Sequence, residues 1–125
     1  MDTKLYIAMS LTAASQEIRN SVDDLKDNLR ANGYDVLPWY SEAFNITPEE
    51  IPDGEAVLEF DLQQIDKCDV FAPIYLGGGS DGRGIELEYA LSAGKRVIAF
   101  QLKEAVVSSL VRGLLSKHGI SFQEI

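Results

Sequence analysis

Short apolar runs alternate with amphipathic stretches along the whole chain, and this order predicts its architecture. The runs are nearly continuous in hydrophobic residues, as in strands that are buried on both faces of a parallel sheet. They cover residues 4–10, 35–38, 68–75 and 95–100, and residues 121–124 predict a fifth, short edge strand.

The stretches between these runs repeat apolar residues every three or four positions, which predicts four helices. The helices fall at about residues 18–31, 55–67, 82–94 and 103–117. In the first helix the expected outward residues are Asp23, Asp24, Lys26 and Asp27, and Asn32-Gly33 ends it. The alternation predicts a single α/β domain over residues 1–125, flavodoxin- or Rossmann-like, with three layers and a mostly parallel five-stranded sheet of order 2-1-3-4-5.

Residues 39–54 follow neither pattern and combine prolines with the aromatic residues Trp39, Tyr40 and Phe44. A loop of this length inside a compact domain is usually functional or mobile. Two interpretations stay open: the aromatic rings pack on the edge of the core, or they form a lid or wall for a flat ligand such as a nucleobase.

The fourth predicted strand is preceded by a helix that carries an acid on its inward face. Glu86, Ala90 and Ala93 recur at i, i+4 and i+7 and share one face, whereas Glu88 falls on a polar face. Burying a carboxylate costs free energy unless something binds or neutralises it. Glu86 is therefore either an acid that supports the helix start or a nucleophile or base in a cleft, and the helix alone does not decide.

A second inward acid and a glycine loop add to this candidate site. Asp61 lies on the apolar stripe of the helix at 55–67. The loop at 77–82 follows the carboxyl end of the third strand, where open α/β sheets bind ligands. Its Ser80 and Gly82 precede a helix N-terminus, so they form either an anion cradle or merely a flexible connection.

Composition and charge narrow the chemistry. An apolar share of 46% and a charged share of 25% are those of a soluble globular protein, and the net charge of −9 opposes a nucleic-acid or anionic-membrane surface. With one histidine and one cysteine, neither a histidine-based triad, a zinc site nor an internal disulfide is expected, so carboxylates should carry any reaction without a metal or other cofactor. No apolar run is long enough to span a bilayer, and the first residues lack the basic-then-apolar pattern of a signal peptide. We therefore expect a cytoplasmic protein.

Four motifs in order now resemble a known family. They are Tyr6-Ile7-Ala8-Met9-Ser10, then D-x3-I-x2-C-D-V from Asp61, then S-x-G-x-G-x-E-L from Ser80, and A-x3-G-K from Ala90. This pattern is similar to the nucleoside 2-deoxyribosyltransferase superfamily, which includes the 2′-deoxynucleoside 5′-phosphate N-hydrolases. Residues 107–113 also look like the hydrolase branch.

The resemblance implies a role for each matching residue. Glu86 falls on the catalytic glutamate that attacks the anomeric carbon, Asp61 on the acid that holds the deoxyribose hydroxyl and the nucleophile, and Asp69 on another active-site acid. Tyr6 falls on a pocket tyrosine. The positions that meet the 5′-phosphate correspond to Ser10, Ser80, Gly82 and Ser108. In the hydrolases that last serine reaches a neighbouring subunit's ligand, so a homodimer or higher homo-oligomer is expected.

The resulting expectation is cleavage of the N-glycosidic bond of 2′-deoxynucleosides or their 5′-monophosphates, with transfer of deoxyribose to another base or to water. Met9 and Thr12 replace a glycine and an arginine that are usual in the hydrolases, so the choice between free and phosphorylated substrates stays open. Two alternatives also remain: a nucleotide-binding or sensing module without catalysis, and a glycohydrolase of a ribosyl nucleotide or an NAD-like molecule.

Overall fold

The computed structural model describes residues 3–10, 14–52, 54–76, 82–101, 109–121 and 123–124. The strands are β1 (Lys4–Ala8), β2 (Asp35–Val36), β3 (Val70–Tyr75), β4 (Arg96–Val97), β5 (Phe100–Gln101) and β6 (Gln123–Glu124). The helices are α1 (Gln16–Ala31), α2 (Tyr40–Phe44), α3 (Glu55–Lys67), α4 (Gly82–Ser92) and α5 (Ser109–Lys117), with a 3-10 turn at Pro48–Glu50. The predicted alternation of strands and helices is confirmed.

All strand pairs in the described part of the chain are parallel, and β1 and β3 form the centre of the sheet. The order is β2-β1-β3-β5-β6, with β4 also paired to β3. β4 and β5 occupy one interrupted position, because the Ile98 N–H between them still donates to the Phe71 carbonyl at 3.0 Å. The predicted order of five positions is therefore confirmed, whereas the predicted unbroken strand at 95–100 is wrong.

The helices cover both faces of this sheet. α1 contacts β2, whereas α3, α4 and α5 pack side by side, with α3 against β1 and α4 against β3 and β4. With right-handed crossovers, this arrangement puts α1 on one face and the other three on the opposite face. Every residue of β3 is buried, which explains its continuous hydrophobic run.

Two of the predicted helix boundaries have clear local causes. The Ser15 hydroxyl caps α1 by accepting from the Ile18 N–H at 3.2 Å. Gly33 follows α1 with a φ of 89°, so the prediction that Asn32-Gly33 ends this helix is confirmed. The segment at 39–54 is more regular than predicted, because it contains α2 and the 3-10 turn.

Trp39 fixes the start of α2 to the sheet. The Leu37 N–H donates to the Leu5 carbonyl at 2.8 Å, as a further rung between β2 and β1. Two residues later the Trp39 indole Nε1–H donates to the next carbonyl on the same side of β1, that of Ile7, at 2.6 Å. The side chain thus supplies the hydrogen bond that another backbone N–H would have made, and only 5% of Trp39 is exposed.

A buried lysine of α1 contacts both Trp39 and α2. Lys26 is 1% exposed, its Nζ lies 3.4 Å from the centroid of the Trp39 ring, and it donates a hydrogen bond to Glu42 on α2. The prediction that Lys26 points outward is wrong. Lys26 lies one turn after the buried Val22, at the edge of the apolar face of α1, where its aliphatic stem can be buried. The four-residue spacing from Val22 could therefore have indicated that Lys26 is buried.

The Glu42 carboxylate accepts the hydrogen bonds that join α1 and Trp39 to α2. It receives the Lys26 ammonium and the Trp39 backbone N–H, and it lies 3.6 Å from the Arg30 guanidinium. Burial raises the pKa of Glu42, but the hydrogen bonds from Lys26 and Trp39 and both positive charges outweigh this effect and lower the pKa below its ordinary value of 4.5. The corner formed by Lys26, Arg30, Trp39 and Glu42 is called the α1–α2 clamp below.

Candidate active site

Two of the predicted site residues are joined directly. The Tyr6 hydroxyl, from β1, donates to Asp61 Oδ1, from α3, at 2.6 Å. Both residues are buried, with 2% of Tyr6 and 6% of Asp61 exposed, so the expectation of a second inward acid is confirmed. The Tyr6 ring also stacks on Phe71 of β3 at a centroid distance of 6.3 Å, which fixes the direction of the hydroxyl.

Contacts between α3 and α4 set the height of Glu86 relative to this pair. Both helices precede strands of one parallel sheet, so they run in the same direction. The Tyr89 hydroxyl of α4 donates to Asp66 Oδ1 of α3 at 2.6 Å, and Lys95 Nζ donates to the Asp66 carbonyl at 2.9 Å. Glu86 lies about one turn before Tyr89 in α4, and Asp61 lies somewhat more than one turn before Asp66 in α3, so both acids lie on the carboxyl-edge side of that contact.

Glu86 lies on the inward face of α4. Glu86 is 2% exposed, and Ala90, one turn below on the same side, packs in the core cluster that also contains Tyr6, Ile65 and Phe71. The buried position predicted for Glu86 is thus confirmed. Ala93 differs from expectation: it follows the end of α4 and is exposed. Leu87 of α4, in contrast, is fully buried and packs with Tyr75 and with residues of α5.

The residues expected around a phosphate belong to two neighbouring strand ends. Ser10 is half-buried just beyond β1, and its carbonyl accepts from the Ala14 N–H at 3.1 Å. Gly82 is the first residue of α4. Ser80 and Ser108 lie outside the residues that the structure describes. Because the carboxyl ends of β1 and β3 are adjacent, Ser10 and the start of α4 lie at the same edge of the sheet.

Asp69 lies apart from the other two acids. It immediately precedes β3, is exposed, and accepts from the backbone N–H of Lys4 at 2.9 Å where β1 begins. That contact is at the amino edge of the sheet, just before the rung that pairs Tyr6 with Phe71. Asp69 therefore links two strand starts, and its expected catalytic role stays a prediction.

Neither the Cys68 thiol nor a metal cluster offers an alternative to the acids within the described residues. Burial raises the pKa of the Cys68 thiol to about 11, and this thiol donates to the Ile65 carbonyl at 3.1 Å, so it carries no appreciable thiolate at neutral pH. Within the described ranges, no three histidine, cysteine or acidic residues are grouped so that they could hold a metal ion. In the same ranges no helix has the length and hydrophobicity needed to cross a membrane.

Comparisons with known proteins bear on the fold of the chain. Neither the protein-family models nor the curated proteins gave a match. Among solved structures, the chain is similar to the CMP N-glycosidase BcmB of Clostridium botulinum, at 21% identity and a TM-score of 0.67, over 98% of this chain and 88% of that one. The chain therefore has the fold of this CMP N-glycosidase, and the resemblance predicted from the four motifs is confirmed at the level of the fold.

Proposed function

We propose that this protein is an enzyme that cleaves the N-glycosidic bond of a nucleoside or nucleoside monophosphate, with Glu86 as the nucleophile. The observations that carry the proposal are the burial of Glu86 on α4 and the buried hydrogen bond from Tyr6 to Asp61 of α3, since these two helices pack against each other. Buried acids are costly for a fold and useful for a reaction that stabilises positive charge.

The reaction proceeds in two steps. The Glu86 carboxylate attacks the anomeric carbon, an ester bond forms, and the bond to the base nitrogen breaks, with its electron pair leaving on the base. Water, or an N–H nitrogen of a second base, then attacks the same carbon, and the ester bond to Glu86 breaks. The proton that this nucleophile loses balances the proton that the departed base takes up. Asp61 is oriented by the Tyr6 hydroxyl so that its second oxygen can hold a sugar hydroxyl and the nucleophile.

The sugar and the phosphate define two versions of this proposal. The sequence motifs resemble deoxyribosyltransferases and deoxynucleotide hydrolases, which favours a 2′-deoxyribosyl substrate. The similar solved structure is an N-glycosidase of CMP, which favours a ribonucleotide as the second candidate. In both versions Ser10 and the start of α4, together with Ser80 and Ser108, would meet a 5′-phosphate.

A chromatographic assay of base release tests the proposal. We expect the protein to release free base from at least one of the common deoxynucleosides, ribonucleosides or their 5′-monophosphates, and the preferred substrate identifies the sugar and the phosphate requirement. A second lane with an added free base separates transfer from hydrolysis. Absence of release from every substrate would contradict the proposal and favour a nucleotide-binding module without catalysis.

We also infer that the active protein is a homo-oligomer. In the related hydrolases, the serine at the position of Ser108 reaches the ligand of a neighbouring subunit. Light scattering of the active protein should give at least twice the monomer mass of 13.8 kDa. A fully active monomer would contradict this inference.

A further inference from the structure

Three aromatic rings cluster between α2 and α3. Tyr40 and Phe44 of α2 lie 4.4 Å apart, and Phe60 of α3 lies 5.3 Å from Tyr40 and 5.9 Å from Phe44, measured between ring centroids. The expectation for residues 39–54 was either core packing or a wall for a flat ligand. Trp39 follows the first interpretation, since its indole is buried in the α1–α2 clamp, whereas Phe44 is 56% exposed.

The position of this cluster relates it to the acids. Phe60 precedes Asp61 in α3, so the ring and the carboxylate leave neighbouring sides of the same helical turn. α2 follows the end of β2, and Trp39 bonds to Ile7 just before β1 ends. The rings therefore lie toward the carboxyl edge of the sheet, where the site opens, on the side of α3 that faces α2.

The chain holds this exposed ring in place at a considerable cost. α2 has only five residues, too few for a helix to be stable by itself, and its end requires Asn45 at a positive φ of 52°. The α1–α2 clamp buries a lysine to secure it. Leu25, Tyr34 and Ile85 are also large exposed hydrophobic residues, but within the described residues none of them belongs to an aromatic cluster of this kind.

We propose that Phe44, supported by Tyr40 and Phe60, is the surface on which the nucleobase of the substrate stacks, and that the α1–α2 clamp positions it. This inference rests on the proposed function. A flat aromatic base on the substrate needs an apolar face, and the exposed ring of Phe44 offers one through its contact with Phe60, the residue that precedes Asp61. Stacking tolerates any base, because each base has a π-face, so Phe44 contributes affinity while polar contacts elsewhere select the base.

Equilibrium binding by calorimetry tests the inference. The Glu86→Gln background prevents turnover, and the probes are the preferred nucleoside or nucleotide and the corresponding base-free sugar or sugar phosphate. We expect Phe44→Ala to weaken binding of the base-containing probe by roughly five- to a hundredfold and to leave the base-free probe unchanged. Phe44→Trp should restore the affinity. Ile85→Ala, which removes an equally exposed residue from α4, should change neither.

Other outcomes would overturn the inference in distinguishable ways. Unchanged affinity of Phe44→Ala for the base-containing probe would remove the stacking role, while base release by the wild-type protein would leave the proposed function standing. Equal weakening for both probes would mean that the substitution displaces the corner. Unchanged affinity with a lower mass in light scattering would make Phe44 a contact between copies of the chain. No release and no binding by the wild-type protein would contradict both proposals.

Discussion

Replacing Glu86 with glutamine is expected to reduce the rate of base release by at least about a thousandfold. Glutamine has nearly the same shape as glutamate, so the packing of α4 against α3 should persist. Its amide, however, cannot form the glycosyl ester. Because Glu86 is buried, water has little opportunity to attack the sugar from the same side in its place. The measurement is kcat for the preferred substrate, with circular dichroism to verify the fold.

Glu88→Gln is the matched control for this experiment. Glu88 lies two residues further along the same helix and is exposed, so its substitution makes the same change in charge without entering the site. We expect its kcat to stay within about twofold of the wild-type value. If Glu86→Gln retained base release at the level of Glu88→Gln, Glu86 would be a structural acid and another group would have to attack the sugar.

Replacing Glu42 with glutamine should lower the free energy of unfolding by about 2–3 kcal/mol at neutral pH. The substitution leaves the Lys26 ammonium buried without its principal counter-charge. Desolvation already lowers the pKa of Lys26, so the lysine would then lose its proton more readily in the folded state. This value is below the roughly 3–5 kcal/mol typical of broken buried pairs because 34% of the Glu42 side chain is exposed. Urea unfolding followed by circular dichroism measures the change.

The pH dependence and two controls separate this ion pair from surface charge. The lowered pKa of Glu42 stabilises the fold above pH 4.5 and loses that effect as the pH falls through the folded-state pKa. The difference between the wild-type protein and Glu42→Gln should therefore shrink in acid. Asp27→Asn breaks only an exposed contact with Arg30 and should cost less than about 0.5 kcal/mol. Lys26→Met removes the buried charge and should cost less than Glu42→Gln; the reverse order would contradict this account.

The sheet and its main helices could be predicted because their hydrophobic periods are undisturbed. The predicted bounds of α3 agree with the structure at both ends, and Gly33 marks the end of α1 through its backbone conformation. Asp61 and Glu86 could be placed inward by the same argument, since an acid on an apolar stripe has no other direction to point.

The corrections come from places where a side chain contact outweighs the local pattern. Lys26 was expected outside, because periodicity counts a lysine as polar and ignores the aromatic ring that its stem reaches. The helix α2 is secured by Trp39 and Glu42 through contacts with α1 and β1, which are distant in sequence and therefore invisible to a local pattern. For Asp69 the active-site role implied by its motif stays a prediction, and the structure adds a hydrogen bond from the Lys4 N–H where β1 begins.

The position of Trp39 has an optical consequence. It is the single tryptophan of the chain, so its fluorescence originates from one corner of the fold. The indole is shielded from water, hydrogen-bonded to β1 and covered by the Lys26 ammonium, and each of these surroundings influences its emission. The spectrum of the unlabelled protein consequently reports whether the segment that carries Phe44 is attached to the sheet.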